Sequence, residues 1–333
     1  MRPLLRIVVL DGLDWEWCRT HADEVPELWA IAEGGCSAAL RSCESPITPT
    51  AVGALLAGRE VDVPWVLNDH FATSQELIRT RPWIHDLARA GLTLGLANVP
   101  LTWPAFPVPA GSWVVSGFPV GTASRWSYPS GLDVLGYPIA EVCNDLGTGG
   151  TKNLATLRST EQDVTEWYLN RAPRCDVEIL WFVSTDRAGH HYWGKPEYGK
   201  AVKDACALLP RLREGCENML VISDHGFDAL SSSRCDAYHR TTHGPTAARA
   251  GLPGGHAMEG VLIASGDRVA ARGLLPEQRL VEVAGGIFDL LQLPPPSLYG
   301  FVSNGPAWAR AVAAGGTGDD LIRANLRRLG YLA

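Results

Sequence analysis

The sequence predicts an α/β fold with a mostly parallel central sheet, and three observations carry that prediction. Short apolar runs recur along the chain, among them Leu4 to Leu10, Leu92 to Val99, Val177 to Val183 and Asn218 to Ile222. Runs without polar alternation mark strands covered on both faces, the situation of a parallel sheet packed between helices. Stretches of helical period lie between these runs, which is the alternation expected of α/β proteins. Finally, 333 residues of which 46% are hydrophobic are enough for one large α/β domain with an insertion, or for two domains.

The first strand, Leu4 to Leu10, stops at Asp11-Gly12, where Asp11 reads equally as a turn residue or as a carboxylate at a strand end. Asp14 has the character of a helix entry. Pro26 to Gly34 reads as a short helix with Leu28 and Ile31 on one face, and Ala38 to Ser42 as a strand. The segment Ser45-Pro46-Ile47-Thr48-Pro49-Thr50 then opens a small-residue helix that stops at Gly58. Thr48 or Thr50 therefore lies at a helix N-terminus, either as a cap or as a nucleophile beside a site that favours anions. Pro82 to Gly91 is a further helix, with His85 as a packing or surface residue. From Pro100 to about residue 155, prolines, glycines and Trp103, Trp113 and Trp126 with little helical period predict an inserted cap or lid.

Ser159 to Asn170 and Tyr198 to Leu212 read as helices flanking the strand Val177 to Val183. That strand runs into Asp186 and His190, four residues apart and hence on one face of a helical turn. His191 points elsewhere. The strand Asn218 to Ile222 runs into Ser223-Asp224-His225-Gly226-Phe227. In open α/β sheets ligands collect beyond such strand ends. An adjacent Asp-His pair suits zinc or manganese better than calcium, although such a pair alone is more often a hydrogen-bonded loop pair than a metal site. A polar stretch, about 228 to 255, reads as a substrate loop whose Arg234, His239, Arg240 and His243 are solvent-exposed loop residues in the plainer reading and phosphate contacts in the sharper one. It ends at His256, ahead of the strand Gly260 to Ala264. Pro276 to Leu291 and Asp319 to Leu329 close the chain as helices.

Bulk properties exclude several classes. The net charge of −7 argues against a nucleic-acid surface, which needs a basic stripe. No run of about 18 apolar residues offers a membrane span and no signal peptide is evident, so the expectation is a cytoplasmic protein without a membrane partner. The eight cysteines show no Cys-x-x-Cys spacing and read as reduced and structural. No Gly-x-Gly-x-x-Gly follows the first strand, which removes a dinucleotide-binding reading. The oligomeric state is left open.

Five motifs in order give the chain its resemblance: Asp11-Gly12 after a strand, Pro46-Ile47-Thr48-Pro49 before the small-residue helix, Asp186-x-x-x-His190, Ser223-Asp224-His225-Gly226-Phe227, and His256 before Gly260-Val261-Leu262-Ile263. Together with Asn98 to Thr102 and Val115 to Phe118, they resemble the alkaline phosphatase superfamily, and within it the type I phosphodiesterase/nucleotide pyrophosphatase branch. The resemblance implies one catalytic domain over 1–333, a three-layer α/β/α sandwich with a mostly parallel sheet and a cap insertion at about 100–155. It implies two divalent metal ions, zinc first, with manganese or iron as alternatives. Asp186, His190 and His256 would hold one; Asp11, Asp224, His225 and the Thr48 oxygen would hold the other. Thr48 occupies the family's nucleophile position, leaving Thr50 as a cap or packing residue.

The activity so implied is hydrolysis of a phosphodiester or pyrophosphate bond in a small molecule, such as a nucleotide-linked metabolite, through a phosphothreonine. Phosphomonoester or phosphonate hydrolysis on the same fold is the alternative, and a non-catalytic binding protein is a more distant one. Two ions against three carboxylates leave a net positive site that draws phosphate into an acidic protein. The chain departs from the branch after Gly58, where Asp62-Val63-Pro64-Trp65 replaces the common Pro-x-x-His-Gly turn. Asn68 falls near an asparagine that donates to a phosphoryl oxygen in relatives, or else is a turn residue. The sulfatase signature is absent, because Cys43-Glu44-Ser45-Pro46 does not fit it.

Overall fold

A computed structural model of the chain describes residues 2–61, 83–117, 126–138, 153–236, 251–294 and Trp308. In chain order its main elements are β1 (Leu5–Leu10), α1 (Trp15–Thr20), α2 (Pro26–Glu33), β2 (Gly35–Arg41), α3 (Thr48–Ala57), α4 (Trp83–Arg89), β3 (Leu94–Val99), β4 (Trp113–Ser116) and β5 (Ser127–Tyr128). There follow α5 (Leu154–Asn170), β6 (Val177–Phe182), α6 (Ser184–Tyr192), α7 (Pro196–Cys206), α8 (Leu209–Arg213), β7 (Asn218–Ile222), β8 (Gly226–Ala229), β9 (Gly254–Ala257), β10 (Glu259–Gly266), β11 (Gly273–Leu274), β12 (Gln278–Arg279) and α9 (Val283–Leu291).

The apolar runs form the middle of one sheet, in the order β11-β2-β10-β7-β1-β6-β3-β4-β5, with β12 also paired to β2. The strands β7, β1, β6, β3 and β4 are mutually parallel, and β10 runs against β7 and β2. Alternate residues of β1 enter different cores, Leu5, Ile7 and Val9 on one face and Val8 and Leu10 on the other. Helices α3, α4 and α9 cover the first face, and α1, α2, α5, α7 and α8 the second. The result is the three-layer α/β/α sandwich the sequence predicts.

Register explains why distant segments meet at one edge. Leu10 pairs with Phe182 and Val9 with Ile222, so the residues after β1, β6 and β7 emerge side by side. Because β10 is antiparallel to β7, its first residue, Glu259, lies at that same edge and pairs with Arg41, the last of β2. Thus Asp11, the start of α6, Asp224-His225, the turn into α3 and the hairpin before β10 converge. The small residues Ala51, Gly53 and Ala54 let α3 bury itself against the sheet, and Gly58, at φ +66°, closes the helix in a left-handed conformation that glycine tolerates best.

Several sequence expectations change in detail. Trp113–Ser116, expected within the cap, is a strand of the main sheet, parallel to β3. The helix expected over Tyr198 to Leu212 is two helices, with Pro210 in the first turn of the second, where its missing N–H does no harm. Only the second half of Pro276 to Leu291 is α-helical, because Gln278 and Arg279 first pair with β2. Residues 226–229 and 254–257, bounding the expected substrate loop, form an antiparallel pair. Asn68, His239, Arg240, His243 and the helix expected over Asp319 to Leu329 lie outside the described residues. Among the described residues no helix is long and apolar enough to cross a membrane.

Candidate metal centre

Each candidate ligand is placed by a different sheet connection. Asp11 follows β1 directly and shares a face with Val9, whose register partner is Trp181; the Trp181 indole N–H accordingly donates to Asp11 Oδ2 at 2.9 Å. Asp224 follows β7 by one residue, and its Oδ1 accepts from the Gly12 N–H at 3.3 Å. Asp186 and His190 lie one turn apart on α6, and His256 sits on β9 opposite Phe227. Thr48 is the first residue of α3, half-buried, with Ile47 at the cap position and no side-chain capping bond. Thr50 is buried on the third residue of that helix, which favours packing over capping for it.

The polar atoms of these residues face one another closely. Thr48 Oγ1 is 3.5 Å from both Asp11 Oδ1 and His225 Nε2. His225 Nε2 lies 3.3 Å from Asp11 Oδ1 and 3.5 Å from Asp224 Oδ2. On the other side, Asp186 Oδ1 is 3.1 Å from His256 Nε2 and 3.5 Å from His190 Nε2, and the two imidazole nitrogens are 3.2 Å apart. The His225 and His256 rings stack with centroids 3.7 Å apart and join the two halves. Ligand atoms of Asp11, Asp224 and His225 form one compact group, and those of Asp186, His225 and His256 another. His225 is thus common to both, whereas the sequence reading gave it to one.

The surrounding residues orient these groups. With His225 and His256 as Nδ1–H tautomers, Nδ1 donates to the Gly226 carbonyl at 3.0 Å and to the Pro46 carbonyl at 2.6 Å, so both Nε2 lone pairs point inward. Arg187 donates to Asp186 Oδ2 at 2.7 Å and leaves Oδ1 toward the imidazoles. Ser42 donates to the Asp224 carbonyl at 2.6 Å.

Electrostatics point to cations. Asp11, Asp186, Asp224 and His225 are each 1% exposed or less, so three carboxylates share a dry site. Burial together with Asp11 and Asp186 drives the Asp224 carboxyl well above the usual range. Burial opposes charge on His225, yet Asp224 and Asp11 push its pKa up to about 10. Burial, reinforced by the charge on His225, holds His256 well below the ordinary histidine value. For Asp186 burial is outweighed by His190, His256 and Arg187, which hold it well below the carboxylate range. Asp186 Oδ1 and Asp224 Oδ2 are buried without a hydrogen bond, as oxygens reserved for a cation would be. Mixed carboxylate and imidazole donors in this arrangement fit zinc or manganese.

Sequence reasoning passed over several supports. Trp181 read only as strand filling. Glu161 on α5 accepts from Ser184 N at 2.8 Å and Ser184 Oγ at 2.7 Å, fixing the start of α6. Burial pushes Glu161 up from 4.5 to about 7 although the Ser184 hydrogen bonds pull the other way. A raised acid stabilises the fold fully below its unfolded pKa and loses that contribution as pH rises through the folded one. The gap is worth roughly 3 kcal/mol. Relative to Glu161→Gln, the native protein is therefore expected to lose about that much between pH 4.5 and 7.5, measured by urea unfolding in chelator. A stability difference independent of pH would refute the assignment.

Arg234 departs from its expected role. Its guanidinium bridges Asp14 at 2.8 Å, Asp228 at 3.4 Å and Glu259 at 3.6 Å, which occupies it with carboxylates instead of phosphate. Asp14 itself is the N-cap of α1, accepting from Trp17 N at 2.8 Å. His85 packs edge-on against Phe106, as expected of a packing residue.

Comparison with known proteins bears on the fold and the family. Murine ectonucleotide pyrophosphatase/phosphodiesterase 5, in an inactive threonine-to-alanine form in complex with AMP, shares the fold with a TM-score of 0.56 and 13% identity, over 92% of this chain and 98% of that one. The human protein of the same name gives a TM-score of 0.57 and 14% identity, over 93% and 98% of the two chains. A search of curated proteins by sequence finds no match. The family model described as type I phosphodiesterase / nucleotide pyrophosphatase matches residues 5–279. The chain therefore belongs to the type I phosphodiesterase/nucleotide pyrophosphatase family of the alkaline phosphatase superfamily, and is a phosphoric ester hydrolase.

Proposed function

We propose that this protein hydrolyses phosphodiester or pyrophosphate bonds in a small, nucleotide-linked substrate, with Thr48 as nucleophile. The observation that carries the proposal is the position of Thr48 Oγ1, 3.5 Å from both Asp11 Oδ1 and His225 Nε2 at the first turn of α3. Asp11, Asp224, His225 and Thr48 would hold one divalent ion, and Asp186, His190 and His256 the other, zinc in both or manganese or iron. Such ions would lower the pKa of the Thr48 hydroxyl and neutralise charge on the departing oxygen.

Within that setting Thr48 gives up its proton to solvent, and its Oγ1–P bond forms in line as the bond from phosphorus to the leaving alcohol or phosphate breaks. The leaving oxygen takes a proton from solvent. Water then attacks phosphorus, the Oγ1–P bond breaks, and the hydroxyl of Thr48 is restored. The positive end of the α3 dipole favours the phosphoryl group throughout. The murine relative supports the reading twice, being inactive with a threonine replaced by alanine and in complex with AMP.

The test is turnover of bis(p-nitrophenyl) phosphate against p-nitrophenyl phosphate by zinc-loaded and manganese-loaded protein. The expected result is a kcat/KM for the diester at least about tenfold above that for the monoester, a discrimination near 1.4 kcal/mol. A p-nitrophenyl ester of a nucleoside 5′-monophosphate should be better still. Faster turnover of the monoester would overturn the diesterase assignment.

A further inference from the structure

We propose that Phe227 is a positioning residue for one half of the centre, the Asp186, His190 and His256 group, and that Gly189 above all, with Gly12 and Gly254 beside it, leaves room for its ring. The inference rests on the two-ion reading above. Phe227 is fully buried beneath the imidazoles. Its ring meets His190 edge-on, with centroids 4.9 Å apart and planes at 86°, and His256 at 5.3 Å and 62°. Trp193 also packs on it, with ring centroids 5.9 Å apart. The His225 ring is further away, at 6.2 Å.

The glycines come from three separate segments. A Cβ at Gly12 would lie 3.1 Å from the Phe227 ring and 3.0 Å from the Asp186 Cα, and one at Gly189 2.8 Å from the ring; one at Gly254 would lie 3.0 Å from the ring, but nearer the Gly189 carbonyl oxygen, with which it would clash, and 2.8 Å from Trp193 Cβ. Only Gly12, at φ +69°, needs glycine for its backbone. At Gly189 and Gly254 the requirement is space, taken at Gly189 by the ring and at Gly254 first by the Gly189 carbonyl oxygen, then by Trp193 and the ring. Gly189 immediately precedes His190, and Gly254 lies two residues before His256 on the same strand. The ring thus fixes the gap between α6 and β9, and with it where the two Nε2 atoms point. Asp11 and Asp224 take their hydrogen bonds from the Trp181 indole and from the Gly12 backbone, whose φ of +69° belongs to its own turn. Losing the ring should therefore disturb one ion and spare the other.

The experiment titrates full-length, chelator-stripped protein with zinc against a chromophoric chelator, for wild type, Phe227→Leu and Gly189→Ala. Phe227→Leu removes buried mass and can lower stability by itself. Gly189→Ala instead adds mass that displaces the ring, and it keeps the test open if the first variant does not fold. Wild type should take up two ions. In each variant one ion should bind about 10-fold to 100-fold more weakly, the range for a lost orienting partner, while the other keeps its wild-type affinity. The ¹⁵N signals of the His190 and His256 rings should then shift only at zinc levels well beyond those that shift His225. Two ions bound as in wild type, or both weakened alike, would overturn the proposal and leave Phe227 a packing residue. A wild type that takes up no ion would fail at the two-ion reading itself.

Discussion

Thr48→Ala is expected to lower bis(p-nitrophenyl) phosphate turnover by on the order of 10³-fold or more while leaving the fold in place and both ions held by their remaining ligands. The size follows from removing the group that forms the covalent intermediate; loss of a nucleophile in other hydrolases costs about three to six orders of magnitude. The sparing of the fold follows from local structure. Thr48 is half-buried, makes no capping bond, and is followed by Pro49, whose fixed φ already suits the first helical turn. Alanine there should change stability by less than about 0.5 kcal/mol, as at surface sites without special roles. Thr48→Ser keeps the hydroxyl but loses the β-branch that holds χ1, so it should retain measurable turnover at a level between the two. The measurements are steady-state kinetics with metal content by elemental mass spectrometry on the same samples. A Thr48→Ala protein as active as wild type, with both ions bound, would remove Thr48 from the chemistry.

The parts of this site that are legible in the sequence are those at the ends of apolar runs. Asp11, Asp224 and His225 stand out because a buried strand cannot continue through a carboxylate, and Asp186 and His190 because four residues make one helical turn. What the sequence hides is pairing between distant segments. His256 reads as a loop residue reaching back, yet it is held on β9 by its register with Phe227. That pairing joins two glycine-rich stretches with little strand propensity of their own. The same cause conceals β4, a strand of four residues in a stretch rich in proline and glycine, which exists because β3 offers it an edge. Trp181, Glu161 and Phe227 hide for a different reason. Each is an ordinary core or helix residue by pattern, and only its neighbour across the fold gives it a role. Arg234 shows the converse error. A loop arginine in a phosphate-handling protein suggests phosphate, but three nearby carboxylates claim it first.

Removing the ions should abolish activity and also lower stability, and Asp224→Asn separates the two effects with a change of sign. In the metal-free protein, burial beside Asp11 and Asp186 drives the Asp224 carboxyl well above its ordinary range. A carboxyl so raised stabilises the fold at low pH and stops doing so as pH rises through its folded pKa. Asparagine copies the neutral form, and its side-chain oxygen can still accept from the Gly12 N–H. Metal-free Asp224→Asn is therefore expected to melt no lower than metal-free wild type at pH 7, and higher in alkaline buffer. Zinc should reverse the order. An ion at a thousand times its Kd stabilises the native state by about 4 kcal/mol, and wild type should gain that much at each site. The variant, lacking one ligand and one negative charge, should gain far less, and its diesterase activity should fall on the order of 10³-fold, as for loss of a group acting directly on the reacting atoms. Thermal melts with chelator and with excess zinc, at two pH values, give the stabilities, and steady-state kinetics with the diester gives the activity. An Asp224→Asn protein that zinc stabilises as strongly as it stabilises wild type would mean that this carboxylate holds no ion, and that its burial against Asp11 needs another explanation.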